Sequence, residues 1–201
     1  PIDIIYEDSN FFVLSKPCLT HSHPLGYIDG NNCLSFIREI GQKNDFLSIN
    51  NDHYDRGLLY RLDYETSGVL VFTKNIDFLK DYRSKKMCNQ KKMYIAIVNG
   101  RAPLEFKFTH RFSYKGIKKK KAFLERLKDD NLREKTGTIE GKRISFNSKK
   151  NISLVKINLN EGLRHQIRAQ LSFENLEILG EKLYITKQTN IEQRLYLHAL
   201  K

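Results

Sequence analysis

The chain opens on two short apolar runs, Ile2 to Tyr6 and Phe11 to Ser15, separated by the turn-forming "EDSN" and halted at Pro17. Strand-forming residues on either side of a polar turn predict a β-hairpin. The period then changes. In "LSFIREIG", Leu34, Ile37 and Ile40 recur at helical spacing, and Gly41 stands where a helix would stop. The polar stretch "QKNDFLSINNDHYDR" reads as an exposed loop. From Gly68 to Lys74 a nearly unbroken apolar run predicts a strand covered on both faces of a central sheet. "IDFLKDYRSKKM" returns to helical spacing through Ile76, Leu79 and Tyr82/Arg83, and "KMYIAIVNG" is a strand closed by a glycine. Between Leu104 and Leu159 several short strands are broken by charged turns, "ISLVKINL" being the clearest. A helix, "RHQIRAQLSF", and a strand, "RLYLHAL", follow.

Strands outnumber helices and do not alternate regularly with them. This predicts an α+β fold in a single domain spanning residues 1–201, with a central, mostly antiparallel or mixed sheet flanked by helices and loops. A chain of 201 residues can bury about 70% of the surface it exposes when unfolded, so one substantial core is expected.

Charge narrows the partner. Lys and Arg number 35 against 23 Asp and Glu, a formal charge of +12 with a pI near 9.6, which favours a phosphate-bearing partner such as nucleic acid. The densest cluster is "KGIKKKKAF", with Lys118, Lys119, Lys120 and Lys121 in a row. Three scattered cysteines, Cys18, Cys33 and Cys88, make no disulfide framework and read as buried thiols in a reducing compartment. No apolar run approaches the ~20 residues of a membrane helix, and no signal peptide opens the chain, so the expected location is the cytoplasm, without membrane contact. No G-x-x-x-x-G-K-[ST] or G-x-G-x-x-G is present to cradle a nucleotide phosphate.

Four segments carry candidate chemistry in order along the chain. "YEDSNFFVLSKP" ends in Lys16 and Pro17; "RLDYETSGVLVFTK" runs from Arg61 to Lys74 around Asp63; "YIAIVNG" begins at Tyr94; and "HQIR" runs from His165 to Arg168. With the "LYLHAL" ending, this constellation resembles the RluA-type family of pseudouridine synthases over nearly the whole chain. The resemblance implies the pseudouridine synthase fold as a single catalytic domain and an isomerase converting uridine in ribosomal or transfer RNA to pseudouridine. It implies no metal and no organic cofactor. Asp63 becomes the essential catalytic carboxylate, Arg168 the cation that pairs with it, and Tyr94 the side chain lying against the uracil ring. Lys16, Arg61, Lys74, Arg164 and His165 become RNA contacts, with Lys118 to Lys121 an outlying basic surface.

The chemistry suits those residue types. The reaction breaks a carbon–nitrogen glycosidic bond, turns the uracil in the pocket and forms a carbon–carbon bond to the same sugar. A carboxylate can add to the anomeric carbon, stabilise an oxocarbenium-like centre or act as a base towards the sugar; the residues leave all three routes open. A dry pocket disfavours an ionised acid, which a guanidinium such as Arg168 compensates. Thr66, Ser67 and Gly68 form the turn expected to hold Asp63, with the glycine permitting close backbone approach.

Two departures from the family pattern stand out. Tyr60 precedes R-L-D where His or Gly is usual, and Leu163-Arg164 replaces Arg-Thr ahead of H-Q-I-R. At helical spacing Arg164 and Arg168 share a face, which lets Arg164 restore the missing charge. Cys18, His21, His23 and Cys33 offer metal-ligating atoms, with both histidines on one face of a strand, yet their spacing matches no common zinc pattern. A loop beside Lys16 at the rim of the active site is the simpler expectation. The competing functional class is a non-catalytic RNA-binding protein on the same scaffold, and the expected assembly state is a monomer.

Overall fold

The structure, a computed structural model, describes residues 1–25, 30–40, 49, 55–84, 91–114, 121–127, 135–185 and 192–201. They fall into two compact units, Pro1–Gln90 and Lys91–Lys201. Most of the loop "QKNDFLSINNDHYDR", together with Cys88 and Lys118 to Lys120, lies outside the described residues.

In the first unit, β1 (Asp3–Glu7), β2 (Phe11–Lys16) and β3 (Ser67–Thr73) pair antiparallel in that order. The hairpin turn forms because the Asp8 carboxylate accepts the amides of Asn10 and Phe11, both at 2.7 Å, which replaces two ladder bonds at the corner. Strand β2 alternates half-buried and buried positions, so Phe12, Leu14 and Lys16 share the inner face. Among the described residues of this unit, two helices accompany the strands, α1 (Cys33–Ile40) and α2 (Ile76–Arg83). Helix α1 buries Cys33, Leu34 and Ile37. Asn75 starts α2 by accepting the Asp77 and Phe78 amides, satisfying donors that a helix cannot satisfy itself.

In the second unit, β4 (Lys92–Asn99), β5 (Glu105–Tyr114), β6 (Ala122–Arg126), β7 (Thr136–Asn147), β8 (Ile152–Leu159) and β9 (Leu197–Ala199) pair in the order β9-β4-β8-β7-β5-β6, every ladder antiparallel. The region expected as short strands holds four: β6 is short, β8 is the expected "ISLVKINL", and β5 and β7 run on for 10 and 12 residues. The charges read as turns occupy outward positions of β5 and β7, where Lys107 and Glu140 pair across the ladder at 2.9 Å.

Helix α3 (Gln166–Phe173) is buried from Gln166 to Ser172 although every second residue is polar. Most of the polar atoms are matched. Gln166 Oε1 accepts the Gly162 and Leu163 amides, Gln170 Nε2 donates to the carbonyls of Phe108 and Gly137, and Ser172 Oγ donates to the Tyr184 carbonyl. Such matching lets a polar helix sit in a core, with Gln170 Oε1 the one atom of these side chains buried without a hydrogen bond among the described residues. The helix begins at Gln166 rather than at Arg164, because His165 takes a left-handed conformation (φ 56°) that breaks the helical run. Arg164 and Arg168 therefore do not share a helical face: Arg164 precedes the helix and is exposed, whereas Arg168 is buried.

Candidate active site

Asp63 lies in a loop that reaches the start of β3. Its carbonyl accepts the Thr66 amide at 3.1 Å, which closes a turn over Asp63 to Thr66, and its side chain is half-buried. Gly68 follows at φ 124°, opposite Lys16 in the ladder, a conformation and approach that favour glycine.

The loop is tied from several sides. Tyr60 Oη donates to the Val69 carbonyl at 3.0 Å, so the residue that departs from the usual pattern closes the loop onto β3. The Ser22 hydroxyl donates to the Leu62 carbonyl and accepts the Leu62 amide, at 3.0 and 3.2 Å. The Thr20 amide donates to the Tyr64 carbonyl, and the Tyr64 ring leans on His21 with centroids 4.6 Å apart. The "CLTHSH" segment is thus a buttress for the Asp63 loop, and His21 forms an isolated bridge to Asn32 rather than part of a strand. Among the described residues, no group of three or more His, Cys, Asp or Glu side chains is disposed to hold a metal ion.

Lys16 does not reach out to phosphate as the sequence reading expects. The alternation of β2 turns it inward beside Phe12 and Leu14, where it is 1% exposed. Its ammonium donates to the carbonyls of Thr20 (2.7 Å), Pro17 (3.0 Å) and Tyr64 (3.3 Å), joining the buttress to the Asp63 loop. Burial pulls its pKa down to about 8, opposed by Cys33, Asp63, Cys18 and Glu65. Lys74 is also engaged within the fold, with its ammonium 2.6 Å from both the Glu7 carboxylate and the Asp8 carbonyl, where it anchors the hairpin. Arg61 is exposed beside the loop.

In the second unit Tyr94 is buried on β4, opposite Ile157 of β8 and Ala199 of β9. Arg168 is 2% exposed and forms a two-pronged ion pair with Glu181, Nε to Oε2 at 2.7 Å and Nη2 to Oε1 at 2.8 Å. Glu181 Oε1 also accepts the amides of Lys182 (3.0 Å) and Leu183 (2.7 Å), so one carboxylate orients the guanidinium and shapes the following loop. His165 is half-buried, with Nδ1 3.0 Å from Tyr184 Oη, and Lys121 Nζ sits 5.1 Å from the Tyr184 ring centroid. Holding a non-glycine residue left-handed costs about 1 kcal/mol, which the surrounding contacts must offset.

Glu181 and Tyr184 escape the sequence reading. Their only signal is "GEKLY", in which a glycine precedes an acid and an aromatic three residues apart, and in a basic chain this reads as surface.

A sequence model described as RNA pseudouridylate synthase matches residues 10–173, from the hairpin turn to the end of α3. The chain belongs to the RNA pseudouridylate synthase family. Among its relatives, the "Ribosomal large subunit pseudouridine synthase D" of Borreliella burgdorferi is 31% identical over 214 residues, covering 100% of this chain and 60% of that protein. An "Uncharacterized RNA pseudouridine synthase" of Helicobacter pylori is 30% identical, covering 96% of this chain and 61% of that protein. The chain thus spans about 60% of the length of these relatives. The solved "Human RNA Pseudouridylate Synthase Domain Containing 1" shares the fold with a TM-score of 0.74 at 18% identity, covering 99% of this chain and 76% of that one. The pseudouridylate synthase fold, α+β with antiparallel ladders, is the fold expected from the sequence.

Proposed function

We propose that this chain isomerises uridine to pseudouridine in RNA, with Asp63 as the catalytic carboxylate, and that residues 1–201 act as one catalytic domain. The observation that carries this reading is the R-L-D-x-x-T-S-G segment, folded as a closed turn that holds a half-buried carboxylate on a loop fastened by Tyr60, Ser22 and Lys16. A rigidly held, partly accessible acid is what attack at, or stabilisation of, an anomeric carbon requires. Tyr94 takes the role of ring contact to the uracil, and Arg168 that of the cation favouring the ionised acid, as the family resemblance implies.

Ribosomal RNA is the proposed substrate class, supported by the name of the Borreliella relative, and the proposed setting is the cytoplasm. The net charge of +12 supplies the attraction, and exposed Arg61, Arg164 and Lys121 are the proposed backbone contacts. No helix of the described residues is long and apolar enough to cross a membrane.

The test incubates wild type and Asp63→Asn with an unmodified transcript of large-subunit ribosomal RNA, maps pseudouridine by mass spectrometry and measures binding in parallel. Wild type is expected to form pseudouridine, and Asp63→Asn to form none while binding with similar affinity. Turnover by Asp63→Asn would overturn the assignment. Binding without turnover by wild type would favour the non-catalytic class.

A further inference from the structure

Tyr64 follows Asp63 directly in the chain and stays open to solvent on a backbone that cannot easily move. Its carbonyl accepts the Thr20 amide at 3.2 Å and the Lys16 ammonium at 3.3 Å, and it lies within the turn that the Thr66 amide closes on the Asp63 carbonyl. The main chain beneath the ring is therefore fixed. The ring centroid lies 4.6 Å from that of His21, with 36° between the two planes. His21 is held in turn, because its carbonyl accepts the Cys33 amide at 2.9 Å and it bridges to Asn32. Even with the imidazole beside it, Tyr64 is 41% exposed.

A single exposed aromatic is ordinary on a protein surface. This one is set apart by its support and by its place. A trans peptide puts its Cα about 3.8 Å from that of Asp63, close to the spacing of about 3.4 Å between successive nucleotides along one strand. An enzyme that works on a base must take it out of its stack, and the neighbouring base then loses a partner. A pre-placed aromatic face can replace that partner. The entropic cost is small, because tyrosine has only two side-chain angles to fix, and every base presents a π-face to such a ring. Tyr94, assigned above to the uracil, is buried and suits a ring enclosed in a pocket, whereas Tyr64 suits one that stays outside.

We propose that Tyr64, backed by His21, is a stacking platform for a base flanking the target uridine. The contact binds the RNA and takes no part in the bond rearrangement. This rests on the RNA-modifying reading above.

The chain contains no tryptophan, so Tyr64→Trp places a sole indole reporter on the platform. Combined with Asp63→Asn to keep the uridine unreacted, its emission should be quenched when the unmodified ribosomal transcript binds. Tyr64→Ala should weaken Kd by about 10-fold, and Tyr64→Phe, which keeps the π-face, by less than about 2-fold. Because no charge is removed, the slope of log Kd against log salt should stay the same. An abasic nucleotide, placed on one side or the other of the mapped uridine in a short oligonucleotide, separates contact from a merely structural role. At one of the two positions wild type should lose about 10-fold in affinity, while Tyr64→Ala should bind the abasic and intact RNAs within about 2-fold of each other. Equal affinity of Tyr64→Ala and wild type, or unchanged emission from the RNA-bound Tyr64→Trp variant, overturns this proposal alone if wild type forms pseudouridine. Should Tyr64→Ala fail to fold, the emission and the abasic loss in wild type decide. Wild type that forms no pseudouridine overturns the functional reading, and this proposal with it.

Discussion

Arg168 and Glu181 face each other through two short hydrogen bonds, with both side chains 2% exposed. Burial raises the pKa of Glu181, but the hydrogen bonds and charge of Arg168 and the amides of Leu183 and Tyr184 outweigh it and hold the group below its usual value. Removing one partner of such a pair strands the other charge in the interior. Glu181→Gln is expected to lower the unfolding free energy by about 3 kcal/mol, measured in urea, with Glu181→Asp recovering part of the loss. The carboxyl titrates lower in the folded chain than in the unfolded one, so its contribution is present above pH 4.5 and is lost as pH falls below it. Acid unfolding of Glu181→Gln should be correspondingly shallower than that of wild type.

Gly180 sets the approach to that pair. Its φ of 80° lies in the left-handed region, and a Cβ there would run into the Arg194 backbone carbonyl. Neither obstacle is a side chain that can swing away. Gly180→Ala is expected to cost about 2 to 4 kcal/mol in thermal or denaturant unfolding, combining backbone strain with overpacking. A loss below about 0.5 kcal/mol, the usual size of a surface substitution, would show that the loop relaxes freely.

Lys16 should leave an alkaline signature. Its folded pKa of about 8 lies below the ordinary 10.5, so between those values the unfolded chain binds more protons and stability rises with pH. The full difference corresponds to about 3 kcal/mol. Lys16→Met removes this titration. The gap in unfolding free energy between wild type and Lys16→Met should therefore widen in favour of wild type from pH 8 to pH 10; a constant gap would contradict the assignment.

His110 predicts a slope of the same sign on the acid side. It is 2% exposed, with Nε2 2.9 Å from Glu174 and Nδ1 3.0 Å from Gln170, and Phe173 packs edge-on against its ring. Burial lowers its pKa, Glu174 opposes that shift and Arg126 adds to it, for a net value below 6.5. As pH falls through 6.5 the unfolded chain takes up its proton first, so the folded state loses stability. Melting temperature should drop between pH 6.5 and 5, and less steeply in His110→Gln.

Local pattern carried much of the fold. The hairpin around Asp8 and helices α1 and α2 were legible because turn chemistry and helical spacing act over a few residues. Strands β5 and β7 run longer than the charge pattern suggests, because charges such as Lys107 and Glu140 occupy the outward half of a two-residue period rather than turns. The same period, applied to β2, would have turned Lys16 inward with Phe12 and Leu14; the expectation of a phosphate contact overrode it. Asp63 was visible through its motif. The start of α3 is not, because His165 takes a left-handed conformation that its residue type does not announce, and its ring meets Tyr184, far outside any local window.

Tyr60, Ser22, Thr20 and Lys16 hold the Asp63 loop through its main-chain groups and those of the adjoining strand. Much of the loop's shape is therefore carried by its main chain. On the role proposed for Asp63, exchanging one oxygen for an amide nitrogen would put a catalyst and a silent binder of this architecture a single mutational step apart.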